Sequence, residues 1–249
     1  AVPFGLNVRQ MNSWMYEGDG LKLMRELFAP RGIVNFPLGN TGTQMGGWYR
    51  KEIKSIEDLK GLKMRTAGFA GEVLSRMGVI PQQIPPGDIY PSLEKGALDA
   101  VEFVGPVDDE KLGFQKVAKY YYYPGWWEGS AQVSLYVNDK AYAELPKAYQ
   151  HVIDVASRAA GAKMVQDYDA HNPEALRRLI AGGAVLKSFP RDVMDASFEA
   201  SNQVYKEFCD KDPGFKKIFD NYMAFRDNIV PWFRVAEGSY DNYLGAALA

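Results

Sequence analysis

The chain of 249 residues is 47% hydrophobic and 24% charged, the balance of a folded protein of about two domains rather than a disordered tail. Its net charge of −2 excludes the basic footprint of a nucleic-acid binder, and no apolar run is long enough to span a membrane. The lone Cys209 excludes an internal disulfide and any multi-cysteine metal centre, and His151 and His171 are too few for a histidine-rich one.

Residues 19–29 place Leu21, Met24 and Phe28 on one helical face before Pro30 and Gly32, so the first forty residues read as a helix and a short strand at 33–36. The Gly-rich segment 39–47 follows; no Gly-Lys-Ser/Thr completes a phosphate loop. Two strand–helix units come next. Strand 62–66 leads to helix 70–77, and extended residues 82–84 lead to a helix capped by Asp88 and running to Lys95, with Pro91 in its first turn. Residues 98–104 and 130–137 read as further strands, and the alternation implies parallel-type sheets. Residues 145–171 form one long helical pattern with Tyr149, Val152, Ile153, Ala156, Ala160 and Met164 on a common face, long enough to bridge two domains. A strand at 185–189 and a helix at 190–209 follow, then an aromatic-rich helix over 212–248 with a kink expected at Pro231. The fold class is α/β.

Four positions are candidates for chemistry. Arg65 ends its strand before a Gly-containing turn, where open α/β sheets bind ligands; it is either a carboxylate grip or an ordinary surface arginine. Glu102 interrupts the apolar run 100–104, so its carboxylate must be paired, protonated or bound to a cation. Glu128 follows Trp126 and Trp127 at the end of an aromatic run that suits either a cleft wall or interdomain packing. Gln44 is either a ligand contact or a polar loop residue. No nucleophile motif is present, and neither histidine lies near these residues in sequence.

At these residues the chain resembles the DctP-type extracytoplasmic solute-binding subunits of TRAP transporters, nearly from end to end. The run at 55–65 (SIEDLKGLKMR) and the run at 88–100 (DIYPSLEKGALDA) match the family's two characteristic motifs. Val104-Gly105-Pro106, residues 108–113 (DDEKLG) and residues 121–128 (YYYPGWWE) resemble its 2-oxoacid-binding branch. The resemblance implies a non-enzymatic periplasmic protein of two α/β domains with a ligand cleft between them, delivering solute to TRAP membrane permease subunits. Domain I would comprise residues 1–42 and 131–168, domain II residues 43–130 and 169–211, and residues 212–249 a helix exchanged between the copies of a homodimer. Family chains carry a signal peptide and further strand–helix units before the segment corresponding to Ala1, so an incomplete domain I is expected.

The resemblance also implies the site. Arg65 would hold the carboxylate of a small monocarboxylate 2-oxoacid such as pyruvate. Gln44, Glu102 and Glu128 side chains, with the Phe103 carbonyl, would bind a bridging cation, while Asn40, Gln44, Phe103 and Trp127 would line the substrate. Relatives that bind a carboxylate without metal carry an arginine near position 44 and an asparagine at 103, so Gln44 and Phe103 favour the cation-bridged branch. Phe103 replaces a tryptophan of close relatives, which alters the cleft wall.

Charge arithmetic agrees. Two glutamates and a monoanionic oxoacid outweigh Arg65 by two negative charges, an excess that a dry cleft does not tolerate without a cation. Oxygen-only ligation points to a hard cation, sodium or alternatively calcium. The alternatives are a calcium-bound 2-hydroxy acid such as lactate, a metal-dependent 2-oxoacid enzyme needing a general base near the substrate's third carbon, and a sensor domain.

Overall fold

The protein is described by a computed structural model covering residues 1–66 and 68–248. Two helices, α1 (Val8–Tyr16) and α2 (Gly20–Phe28), precede β1 (Ile33–Asn40) and β2 (Trp48–Tyr49). Then come β3 (Lys63–Arg65), α3 (Gly68–Arg76), β4 (Ile80–Gln82), α4 (Pro86–Glu94), β5 (Ala100–Val101), α5 (Pro106–Leu112), β6 (Tyr120–Tyr123) and β7 (Gln132–Asn138). The remainder is helical except for β8 (Val185–Ser188): α6 (Asp139–Glu144), α7 (Lys147–Ala181), α8 (Arg191–Lys211), α9 (Pro213–Phe233), a π-helical stretch at Arg234–Gly238 and α10 (Ser239–Ala247).

The strands form two sheets. β1 and β7 pair antiparallel, and the larger sheet has the order β4-β3-β5-β2-β6-β8. It is mixed, not parallel as the strand–helix alternation suggests. β3 runs parallel to β4 and β5, and β6 to β8, but β2 lies antiparallel between β5 and β6. The reversal places Gly47, just before β2, beside the end of β5, and Gly46 beside Tyr122 of β6. Gly47 has φ +84°, and a Cβ there would sit 2.3 Å from the Val101 carbonyl oxygen, so glycine is required.

Period-2 alternation builds the core on both faces of this sheet. Tyr49, Met64, Ala100 and Tyr122 face one way, into a cluster with Val73, Leu74, Trp126, Trp127 and Phe189. Trp48, Val101 and Tyr121 face the other, against Ile89, Leu93, Phe114 and Leu179. A third cluster joins α1, α2 and α9 through Leu6, Met11, Trp14, Met15, Leu23 and Tyr222.

Several sequence expectations need correction. The first forty residues hold two helices; α1 is opened by a reciprocal cap in which the Gln10 N–H donates to Asn7 Oδ1 at 3.0 Å and the Asn7 N–H donates to Gln10 Oε1 at 2.9 Å. Asp88 is not a cap: α4 begins at Pro86, which needs no donor at that position. The strand expected over 98–104 pairs only at Ala100–Val101, because the chain then turns towards α5. In α7 the expected apolar face is largely open, with Tyr149 and Val152 each 62% exposed. The helix meets β1 through small residues instead. Ser157 is buried, and a Cβ on Gly161 would stand 3.5 Å from Leu38.

The tail is also more divided than a single exchanged helix. Helical structure continues past Pro231 to Phe233, and the irregularity falls in the π-helical stretch that follows. The first half of α9 packs on its own chain: the Leu6 N–H donates to the Tyr222 hydroxyl at 2.6 Å, and Trp14 Nε1 donates to Asn221 Oδ1 at 2.8 Å. Beyond it, Trp232, Val235, Tyr240 and Tyr243 are exposed. Tyr222→Phe strands the Leu6 N–H in the core, and we expect a loss of about 1–3 kcal/mol in urea unfolding; an unchanged midpoint overturns that account of the contact.

Candidate functional site

β3 and β5 lie side by side, with Arg65 opposite Val101. Arg65 ends one strand and Glu102 follows the other, so their side chains meet. Arg65 Nη1 donates to Glu102 Oε1 at 2.6 Å and to the Glu102 carbonyl oxygen at 2.7 Å. Both side chains are largely buried. The guanidinium also stands 5.5 Å from the centre of the Phe103 ring, which packs edge-on against Phe114.

The Gly-rich loop is stitched between two other segments by its backbone. The Gln44 N–H donates to the Glu128 carbonyl at 3.0 Å, and the Gly125 N–H donates to the Gln44 carbonyl at 2.9 Å. The Met45 N–H donates to the Val104 carbonyl at 3.0 Å. Approach on this scale needs Gly125, where a Cβ would lie 2.5 Å from the Gln44 carbonyl oxygen. Three segments distant in sequence, carrying Gln44, Glu102–Phe103 and Glu128, are thereby held together.

The electrostatics are those of carboxylates short of solvent. Glu102 is 8% exposed, and burial pushes its carboxyl up to about 8, against the pull of Arg65 and with added repulsion from Glu128. Burial also raises Glu128, opposed by Arg65.

Buried polar atoms without a partner concentrate on these residues. Eight such side-chain atoms occur among the described residues, and four of them belong to residues singled out from sequence: Asn40 Nδ2, Gln44 Oε1, Arg65 Nε and Trp127 Nε1. Thr66 Oγ1, next to Arg65, is a fifth. Native interiors leave few groups of this kind unpaired. Gln44 Oε1 is an acceptor with no donor, while its amide N–H₂ donates to Thr41 Oγ1 at 3.2 Å. The others include donors with no acceptor. An unpaired acceptor suits a cation and unpaired donors suit an anion, so the chemistry of these residues fits a cation and a carboxylate together. No three His, Cys, Asp or Glu side chains cluster as a metal site among the described residues, so a cation here would need a mixed donor set.

The structure qualifies two of the expected contacts. Trp127 is a core residue, packed edge-on against Trp126 and Phe189, with only its indole N–H left to recognise anything. Asn40 uses Oδ1 to accept from the Gly42 N–H at 2.9 Å and lines a cavity of 230 Å³ with Gly39, Gln132 and Arg158. Thr66 and Asp109 were missed. Thr66 has no sequence signal beyond its place after Arg65, and Asp109 reads in the sequence like its acidic neighbours Asp108 and Glu110.

This architecture, with polar groups gathered where separate segments converge beside a mixed sheet, belongs to the class of two-domain α/β solute-binding proteins. The DctP profile, bacterial extracellular solute-binding protein family 7, matches residues 1–212, and the chain belongs to that family. It is a binding protein of the TRAP type, not an enzyme. A monocarboxylate 2-oxoacid-binding periplasmic protein from Nostoc sp. strain PCC 7120 is 47% identical over 247 residues, which is 99% of this chain and 68% of the relative. A TRAP transporter solute-binding protein from Bordetella bronchiseptica RB50 is 56% identical with a TM-score of 0.96, over 99% of this chain and 74% of that one. Its crystal structure is a mixed-occupancy dimer with copurified calcium and picolinate in one active site and an apo site. A TRAP periplasmic protein from Pseudoalteromonas atlantica T6c, with bound sodium and pyruvate, is 40% identical with a TM-score of 0.92, over 96% of this chain and 73% of that one. Among the described residues no helix is long and apolar enough to cross a membrane.

The raised carboxyls set a pH dependence. Glu102 rises from 4.5 to about 8, and burial lifts Asp109 from 3.8 to about 7, so over that range the folded state holds protons that the unfolded chain has released. Stability without added cation therefore falls as pH rises from about 4 to about 8. Thermal melts across pH 5–9 check this: Glu102→Gln is expected to flatten the decline above about pH 7, and parallel slopes for the two proteins would contradict it.

Proposed function

We propose that the protein binds a small monocarboxylate 2-oxoacid such as pyruvate in the periplasm, jointly with a bridging cation, and delivers it to the membrane subunits of a TRAP transporter. The observation that carries this reading is that the backbone-linked segments of the site hold an orphaned acceptor, Gln44 Oε1, and that the buried Arg65–Glu102 pair leaves Arg65 Nε an orphaned donor. Arg65 would grip the oxoacid carboxylate. Gln44 Oε1, the Glu102 and Glu128 carboxylates and the Phe103 carbonyl would hold the cation, whose charge offsets the excess of carboxylates. Oxygen donors suit sodium or calcium, and the relatives from Pseudoalteromonas and Bordetella, with one ion each, support either. Residues 1–42 with 131–168 and residues 43–130 with 169–211 would form the two lobes that close over the ligand.

The Arg65–Glu102 contact makes the two ligands interdependent. The oxoacid needs Arg65, which now donates to Glu102; the cation needs Glu102, which now accepts from Arg65. Each ligand frees the residue that the other requires, so their affinities rise together and reciprocally. Calorimetric titration with pyruvate after dialysis against chelator, repeated with sodium and with calcium, tests this. Binding should strengthen with one ion, and Arg65→Ala should weaken it about 100-fold, the loss of two charge-assisted hydrogen bonds of about 1.5 kcal/mol each. Binding that ignores both ions, or survives Arg65→Ala, rejects the reading.

The exposed aromatics of the last helical segment suit an exchanged dimer contact, in keeping with the dimeric relative. Removing residues 234–249 spares Tyr222 and its cluster and should give monomers in light scattering; an undiminished dimer places the interface elsewhere.

A further inference from the structure

Asp109 is 1% exposed, an acid where the surrounding cluster is otherwise built from Trp48, Val101, Phe114 and Tyr121. Burying a carboxylate in such a place is costly unless its bonds hold something in position. Its Oδ2 accepts from Trp48 Nε1 at 3.0 Å and from the Tyr121 hydroxyl at 2.7 Å. Those two residues face each other across β2 and β6, with rings stacked 4.0 Å apart. The remaining oxygen, Oδ1, faces the Val104 N–H at 3.4 Å. One carboxylate thus joins the middle of the sheet to the segment Glu102-Phe103-Val104.

That last contact has a geometric consequence. The Val104 N–H and the Phe103 carbonyl belong to one planar trans peptide, in which they point in opposite directions. Turning the N–H towards Asp109 turns the Phe103 carbonyl away from it. The other side of Val104 is held as well, because its carbonyl accepts from the Met45 N–H at 3.0 Å, next to Gln44. The neighbours of Asp109 on α5 are fastened outwards to α7. The Val107 N–H donates to Asn172 Oδ1 at 3.1 Å, the Tyr168 hydroxyl donates to Asp108 Oδ2 at 2.7 Å, and Arg178 donates twice to Glu110, at 2.8 and 2.7 Å. Helix α5 is therefore anchored on both sides, and Asp109 is its only inward polar anchor among the described residues.

We propose that Asp109 is a positioning residue for the cation: it aims the Phe103 carbonyl and the following peptide so that Gln44, Glu102 and Phe103 present oxygen to one point. The assignment rests on the cation-bridged reading above. It predicts a division of labour in which Asp109 governs the affinity for the ion, while Arg65 governs the affinity for the oxoacid.

The test is a calorimetric titration of the chain with calcium and with sodium, at fixed pyruvate, for wild type, Asp109→Asn and Tyr121→Phe. The asparagine keeps the size of the side chain. With its oxygen turned to Trp48 and Tyr121, its amide N–H₂ faces the Val104 N–H, donor against donor. The cation half-saturation should rise about tenfold or more, as for other residues that orient metal ligands, with pyruvate affinity at saturating cation nearly unchanged. Tyr121→Phe removes one donor but leaves the carboxylate on Val104, so it should lower the melting temperature and leave the half-saturation in place. Where Asp109→Asn does not fold, Asp109→Glu, which displaces the carboxylate by one methylene, should raise the half-saturation in the same way. An unmoved half-saturation in a folded Asp109 variant, or an equal rise in Tyr121→Phe, overturns the assignment and leaves Asp109 a packing residue. Wild-type binding with no dependence on either ion overturns the cation reading and this assignment with it.

Discussion

The ion pair between Arg65 and Glu102 is the constraint around which the larger sheet is arranged, because both charges sit where water reaches them poorly. Removing ions from water costs several kcal/mol each, and their mutual attraction repays this only when every remaining lone pair and proton finds a partner. Here the repayment is incomplete: Arg65 Nε has no acceptor, and Glu102 keeps a carboxyl raised to about 8. A buried pair left short in this way is a poor source of stability and a good receptor. In the proposed function it would accept whatever completes both halves at once, an anion for the arginine and a cation for the glutamate.

Holding that pair requires backbone more than side chains. Glu102 and Arg65 meet because β3 and β5 are neighbours in register, and the loop carrying Gln44 is bonded through Met45 to Val104, just past Glu102, because β2 runs antiparallel between β5 and β6. The reversal brings the Gly-rich loop against the end of β5 at a separation that only Gly47 permits. The aromatic run at Tyr120–Tyr123 then serves both cores through alternation, Tyr121 on one face and Tyr122 on the other. Most of its rings are packing, and the same holds for Trp127 apart from its indole N–H. The site is polar because its walls are made of peptide groups and a few side-chain tips, set in a rigid apolar frame.

Helix α7 touches both sheets' surroundings, with Gly161 against β1 and Tyr168, Asn172 and Arg178 against α5. Through α5 it is connected to the segment that carries Glu102 and Phe103. A change at Glu102 or Phe103 thus has a short, bonded route to the long helix. Small residues at the β1 contact and charged residues at the α5 contact give that helix two different kinds of attachment, one close-packed and one by hydrogen bonds.

Local chemistry made much of this legible in the amino-acid sequence. Arg65 at a strand end, Glu102 in an apolar run and Glu128 beside two tryptophans were conspicuous because charge among apolar neighbours demands a partner. The family motifs added the solute-binding class, and long helices over 145–171, 190–209 and 212–248 were expected, of which the first runs on to Ala181 and the last divides at the π-helical stretch. What depended on pairing was not legible. The antiparallel placement of β2, the shortness of β5 and the exposed face of α7 arise from contacts between segments far apart in the chain, which no local pattern encodes. Asp109 shows the limit most clearly. As one acid in Asp108-Asp109-Glu110 it looks like its neighbours, and only the tertiary structure turns it inward to Trp48, Tyr121 and Val104 while the other two face α7.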